Sequence, residues 1–81
     1  MKIELLLFAS MKEKIGKSKI EIEANEPCTV QGLLDVLFLQ YPAISPFAKS
    51  ILVSVNQEFA DRNEIIHARD EVAIFPPVSG G

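Results

Sequence analysis

Residues 29–42, TVQGLLDVLFLQYP, decide the fold. Val30, Leu33, Leu34, Leu37, Phe38 and Tyr41 fall at i, i+3, i+4, i+7, i+8 and i+11, which lines one apolar stripe along a helix. Thr29 is a good N-cap, and Pro42 stops the helix because it has no N–H to donate. The spacing therefore predicts one helix from Thr29 to about Tyr41. Val36 and Leu39 sit off the stripe and read as ordinary exposed apolar residues. A single stripe needs a single apolar surface to cover it, and the flanking sequence supplies strands.

Upstream, residues 2–9 (KIELLLFA) read as a strand with apolar residues on both faces. Ile3, Leu5 and Leu7 form one row, while Glu4, Leu6 and Phe8 form the other. Ser10 and Glu13 have capping-box spacing for a short helical turn that Gly16 ends with a positive φ. From Lys17 to Ala24 the alternation is clean: Ile20, Ile22 and Ala24 on one face, Lys19, Glu21 and Glu23 on the other. Downstream, Ser45 and Pro46 mark a second short turn, with Ser45 as cap and Pro46 at the first helical position. Residues 51–56 (ILVSVN) form a strand, Gln57-Glu58 a tight turn, and Phe59-Ala60 a short return strand. Asp61 to Asp70 reads as polar loop around Ile65 and Ile66, and Val72–Phe75 as the last strand. The order predicts an α+β fold: one mixed sheet of about five strands wrapped over one main helix. We read the 81 residues as one domain with a flexible tail at 76–81 and find no repeat or linker.

Composition excludes several function classes. The net charge is −3, and the eight Lys and Arg residues are scattered, so there is no basic footprint for nucleic acid. No stretch approaches the ~20 apolar residues of a membrane span, and the start does not resemble a signal peptide; the expected address is the cytoplasm. Cys28 is the only cysteine and His67 the only histidine, which argues against disulfides and metal binding. Cys28 reads as a packed core residue rather than a nucleophile. No Ser-His-Asp set, paired carboxylates or phosphate-cradling loop is present, so catalysis by this chain unaided is not expected.

The end, Pro76-Pro77-Val78-Ser79-Gly80-Gly81, stands out. The prolines hold the exit from the last strand extended, and the two glycines form a thread thin enough to enter a narrow channel. A carboxylate at its tip is a poor electrophile and needs ATP-dependent activation by another protein. The bland alternative is a frayed chain end. A second feature is the sheet face opposite the helix. If Ile3, Leu5, Leu7, Ile20, Ile22, Val53, Val55, Val72 and Ile74 face the helix, then Leu6, Phe8, Ala73 and Phe75 face away, with Phe59 a candidate to join them. Large apolar side chains gathered there imply a covering partner, whereas a one-residue register slip would swap the faces.

The chain resembles the small, sulfur-carrying subunits of molybdopterin synthase, a family of ubiquitin-like β-grasp proteins. The resemblance rests on LLFAS with the KEKIG turn, the TVQGLLDVLFLQYP helix, the strand ILVSVNQE, and the end DEVAIFPPVSGG. Ala68-Arg69 stand where the family usually has Asp-Gly, which alters a turn and leaves the reactive end intact. The resemblance implies that an E1-like adenylating enzyme activates Gly81 with ATP and that a sulfur donor turns the adenylate into a thiocarboxylate. The tail then inserts into the large synthase subunit, in a heterotetramer, and delivers sulfur to cyclic pyranopterin monophosphate. Gly81 carries the sulfur and Gly80 permits threading. The contact surface for the large subunit maps to Phe8, Phe59 and Phe75, with Pro76, Pro77, Val78 and Ser79 continuing it into the tail. No stably bound cofactor or metal is implied, and the tail is expected to be mobile until docked. The alternatives are a sulfur carrier for thiazole synthesis or tRNA thiolation, a ubiquitin-like protein modifier, and a non-covalent interaction module with an incidental Gly-Gly end.

Overall fold

The computed structural model describes residues 1–77; Val78, Ser79, Gly80 and Gly81, and with them the expected mobility of the tail, lie outside the described residues. The predicted pattern, strand-rich with one main helix, is the one observed. In chain order the elements are β1 (Lys2–Leu7), α1 (Ala9–Ile15), β2 (Lys19–Glu23), β3 (Cys28–Thr29) and α2 (Val30–Gln40). A 3₁₀ helix (Pro42–Phe47) follows, then β4 (Leu52–Val55), β5 (Glu58–Phe59), β6 (Ile65–Ile66) and β7 (Val72–Phe75). Five strands form a mixed sheet in the order β2-β1-β7-β4-β5. β1 and β7 run parallel at its centre, and every other pairing in it is antiparallel. This is the β-grasp arrangement.

The core lies where the two periodicities meet. Every second residue of β1 and β2 is buried: Ile3, Leu5 and Leu7, then Ile20 and Ile22. Val53, Val55, Val72 and Ile74 join them, so the register inferred from alternation is the one adopted. From α2, Val30, Leu33, Leu34 and Leu37 are fully buried. The stripe is narrower than expected, because Phe38 and Tyr41 are only half-buried at its margin. Met11, Ala24, Cys28, Ile44, Ile51 and Ile66 complete the core. Each fully buried aliphatic side chain contributes about 1.5–3 kcal/mol of transfer free energy, so this one cluster holds the fold.

Several local expectations are corrected. Ser10 and Glu13 form no capping box: α1 begins at Ala9, its N-cap is Phe8, and no side chain caps it. The Phe8 carbonyl instead accepts from the N–H groups of Met11 and Lys12 at 3.1 and 3.4 Å. Gly16 ends α1 as expected, at φ +85°, and its N–H reaches the Lys12 carbonyl at 2.8 Å. Ser45 does not cap the second turn. The 3₁₀ helix starts at Pro42, has Pro46 inside it, and its Ser45 hydroxyl donates back to the Pro42 carbonyl at 2.9 Å. The β4–β5 hairpin turns on Asn56-Gln57, one residue earlier than predicted, with φ +53° and +70°. Two positive φ values make the type I′ geometry that matches strand twist. Within the polar loop, Ile65–Ile66 pairs with Cys28–Thr29 as a second, two-stranded sheet. Thr29 does cap α2, its hydroxyl oxygen accepting from the Gly32 N–H at 3.0 Å.

Candidate functional site

The site is built by the pleat of the main sheet. β1 and β7 are parallel with Leu6 beside Ala73, β7 and β4 pair Ala73 with Ser54, and β4 and β5 pair Ser54 with Phe59. These four residues make one row on the face away from α2. The next row runs from Phe8 through Phe75 to Leu52, since Phe75 lies opposite Leu52 and the Phe8 N–H donates to the Ile74 carbonyl at 3.3 Å. Small residues (Ala73 and Ser54) therefore floor a basin whose walls are large.

The three phenylalanines named from sequence come together here. The rings of Phe8 and Phe75 stack at 4.9 Å between centroids and 6° between planes. Phe59 meets Phe75 edge-on, at 6.1 Å and 71°. Such pairs add about 0.5–1.5 kcal/mol each beyond burial, which holds the rings in a defined shape. Yet the cluster remains open to solvent: Phe8 is 43% and Phe59 74% exposed. Between the rings lies a hollow of about 330 Å³, floored by Ala73 and Ser54 and rimmed by Gln57 and Glu71. Lys12 and Lys19 border a neighbouring hollow on the far side of Phe8. Leu52, 37% exposed beside Phe75, extends the apolar face; sequence reasoning missed it, although its place two residues before Ser54 on the same strand was a usable signal.

Ala9 sets the position of Phe8. Its φ of +50° turns the chain from β1 into α1 immediately after the last extended residue, so Phe8 stays in the sheet row. Pro76 and Pro77 follow Phe75 directly and are half-buried. The final segment thus leaves the sheet at the edge of the aromatic cluster. Gly80 and Gly81, the residues that would carry the chemistry, and Val78 and Ser79 lie beyond the described residues.

The remaining reactive side chains are placed elsewhere. Cys28 is buried under α2, its thiol hydrogen-bonds the Thr29 carbonyl at 3.3 Å, and burial pushes its pKa up. A buried thiol held protonated is a packing residue, as read from sequence. His67 is exposed in a turn closed by Asp70, whose carboxylate accepts from the His67 backbone N–H at 2.8 Å and from Asn56 Nδ2 at 3.0 Å. The His67 backbone N–H first, then Asn56, hold the Asp70 carboxyl below its ordinary range. This turn carries Ala68-Arg69 without any positive φ, so no glycine is required there.

A five-stranded mixed sheet folded over one helix, with an open aromatic face beside its C-terminal exit, defines a ubiquitin-like β-grasp protein. Comparison with known proteins gives the family. The ThiS family profile matches residues 5–81, and the chain belongs to that family. It is 43% identical over 81 residues to the molybdopterin synthase sulfur carrier subunit of Dictyostelium discoideum, covering 96% of this chain and 94% of that protein. The Arabidopsis thaliana protein of the same name is 33% identical over 81 residues, covering 100% and 84%. The crystal structure of SAMP1 from Haloferax volcanii superposes with a TM-score of 0.86 at 35% identity over the whole of both chains. Among the described residues no helix is long and apolar enough to cross a membrane.

Proposed function

We propose that this protein is the sulfur carrier of a molybdopterin synthase, and that its contribution to the reaction is the Gly81 carboxylate. The observation that carries the proposal is the open ring cluster of Phe8, Phe59 and Phe75 at the exit toward Gly80-Gly81, in a chain closely similar to named sulfur carrier subunits. This role requires Gly81 to carry the free carboxyl of the mature protein. An E1-like enzyme joins its carboxylate to AMP from ATP, releasing pyrophosphate and converting a resonance-stabilised anion into an acyl phosphate with a good leaving group. A hydrosulfide equivalent from a sulfur donor attacks that carbonyl, AMP departs, and a proton is lost to give the thiocarboxylate. Gly80, lacking a Cβ, lets this end enter a passage about as wide as the backbone.

The aromatic face and Pro76-Pro77 dock on the large subunit of the synthase, which holds cyclic pyranopterin monophosphate. Aromatic residues around a small-residue basin are the composition expected of an interface centre. No metal or stably bound cofactor is needed on this chain, and ATP is consumed by the activating partner. The test is a reconstituted conversion of cyclic pyranopterin monophosphate with the large subunit, ATP, the activating enzyme and a sulfur donor. Deleting Gly81 should leave the circular dichroism spectrum unchanged and abolish product; product formed by the truncated chain would refute the proposal.

A second reading is favoured by the similarity to SAMP1, a small archaeal modifier protein. The same activated carboxyl carbon would then pass to a lysine amine, AMP leaving as an amide forms. Recovery of a lysine-linked conjugate of this chain would select that reading.

A further inference from the structure

One edge of the main sheet has a charge order that fits itself. β2 is the outermost strand, next to β1, and β5 is the edge on the opposite side. The hydrogen bonds from the Leu7 N–H to the Ser18 carbonyl (2.8 Å) and from the Ala24 N–H to the Met1 carbonyl (2.9 Å) fix the parity of the β1–β2 ladder. With Leu5 opposite Ile20 and Ile3 opposite Ile22, the backbone groups of residues 18, 20, 22 and 24 point toward β1. Those of Lys19, Glu21 and Glu23 therefore point out of the sheet, as a template for another strand.

We propose that β2 pairs antiparallel with β2 of a second copy of this chain, about a two-fold axis at Ile20. In that register Lys19 lies opposite Glu21 of the other copy and Glu21 opposite its Lys19. Lys17 and Glu23 stand opposite each other one step further out at both ends. All four residues are exposed on the sequence Lys-Ser-Lys-Ile-Glu-Ile-Glu, so the order of two cations then two anions becomes complementary when it is reversed. The parity agrees, because the residues that would exchange hydrogen bonds across the axis, Lys19 and Glu21, are those with outward backbone groups.

A second observation favours a cation arriving at this edge. Glu21 lies directly opposite Glu4 on β1, a like-charge cross-strand pair, and Glu4 is already 3.7 Å from Lys19 of its own chain. The incoming Lys19 gives Glu21 the opposite charge that its own sheet does not place across from it. On the other face the axis brings the two Ile20 side chains together, with Tyr41 bordering the same edge hollow. Shifting the axis to Glu21 would keep the parity but set Glu21 against Glu21, so charge selects the register. The aromatic cluster runs on the outward face from the end of β1 (Phe8) across β7 (Phe75) to β5 (Phe59), and pairing at the free edge of β2 leaves it open.

The experiment is sedimentation velocity from micromolar to millimolar concentration, at low and high salt, with amide exchange followed in parallel. The protein is expected to dimerise with rising concentration, more weakly in high salt, and to slow exchange at Lys19 and Glu21. Lys19→Glu or Glu21→Lys alone should weaken the dimer about tenfold or more, since two attractive pairs become repulsive. An equimolar mixture of the two variants, or the double swap, should restore it. These exposed substitutions should leave the circular dichroism spectrum unchanged. A monomer at every concentration would overturn the proposal, as would a dimer that either single charge reversal leaves intact.

Discussion

Ala9 adopts φ +50°, a region where a Cβ is unfavourable by about 1–2 kcal/mol, and it does so between the last sheet residue and the first turn of α1. Ala9→Gly removes that strain at the cost of some unfolded-state entropy and should stabilise the protein by about 0.5–1 kcal/mol in urea titration. Thr29 works in the other direction. Its oxygen satisfies the Gly32 N–H at the start of α2, and Thr29→Ala should cost about 0.5–2 kcal/mol in the same measurement. Asp70 links residue chemistry to pH. Its carboxyl is held below its ordinary value, so its contribution is complete above that ordinary value, near pH 4, and is lost as pH falls through the lowered one. Because the group is largely solvated the effect is small; Asp70→Asn should flatten the acid limb of the stability-against-pH curve measured by thermal melts.

At the level of elements, the long periodic segments were legible and the short ones were not. The α2 stripe and the alternation in β1 and β2 each repeat enough times to define a face, and the structure adopts those faces. β3 and β6 have two residues each, too few for any period, and only the tertiary fold brings Cys28 opposite Ile66. The capping box at Ser10 failed because the β1–β7 ladder extends to Phe8 and fixes where α1 begins. The hairpin was misplaced by one residue because Gln57, an uncommon residue at positive φ, takes it beside Asn56. That turn is tethered: the Asn56 side chain donates to Asp70 and accepts from the Glu71 N–H at 3.0 Å. Arg62 plays a similar role elsewhere, donating to the carbonyls of Ala48 and Ile51 at 2.9 and 3.0 Å and to Gln31 at 3.2 Å. Removing it strips a charged donor from two carbonyls, and Arg62→Ala should cost about 1.5–3 kcal/mol by chemical denaturation.

Across the whole molecule, the sheet separates a packed face from an open aromatic face. Sequence alternation placed Phe8 and Phe75 outward, but only the strand order puts Phe59, from the far edge, against Phe75. Phe59 is 74% exposed, so Phe59→Ala should change folding stability by about 1 kcal/mol or less. If the rings form the centre of the contact with the large synthase subunit, the same change should weaken that binding by about 2 kcal/mol or more in calorimetry. The proposed reactive end was legible only as composition and resemblance, because two glycines carry no packing signal. The most direct measurement is therefore the intact mass of the chain after incubation with ATP, an E1-like activating enzyme and a sulfur donor. Exchange of one oxygen for one sulfur, confined to the C-terminal peptide and absent when Gly81 is deleted, is the predicted result. An unchanged mass, with an activating enzyme that thiolates another carrier under the same conditions, would contradict the account.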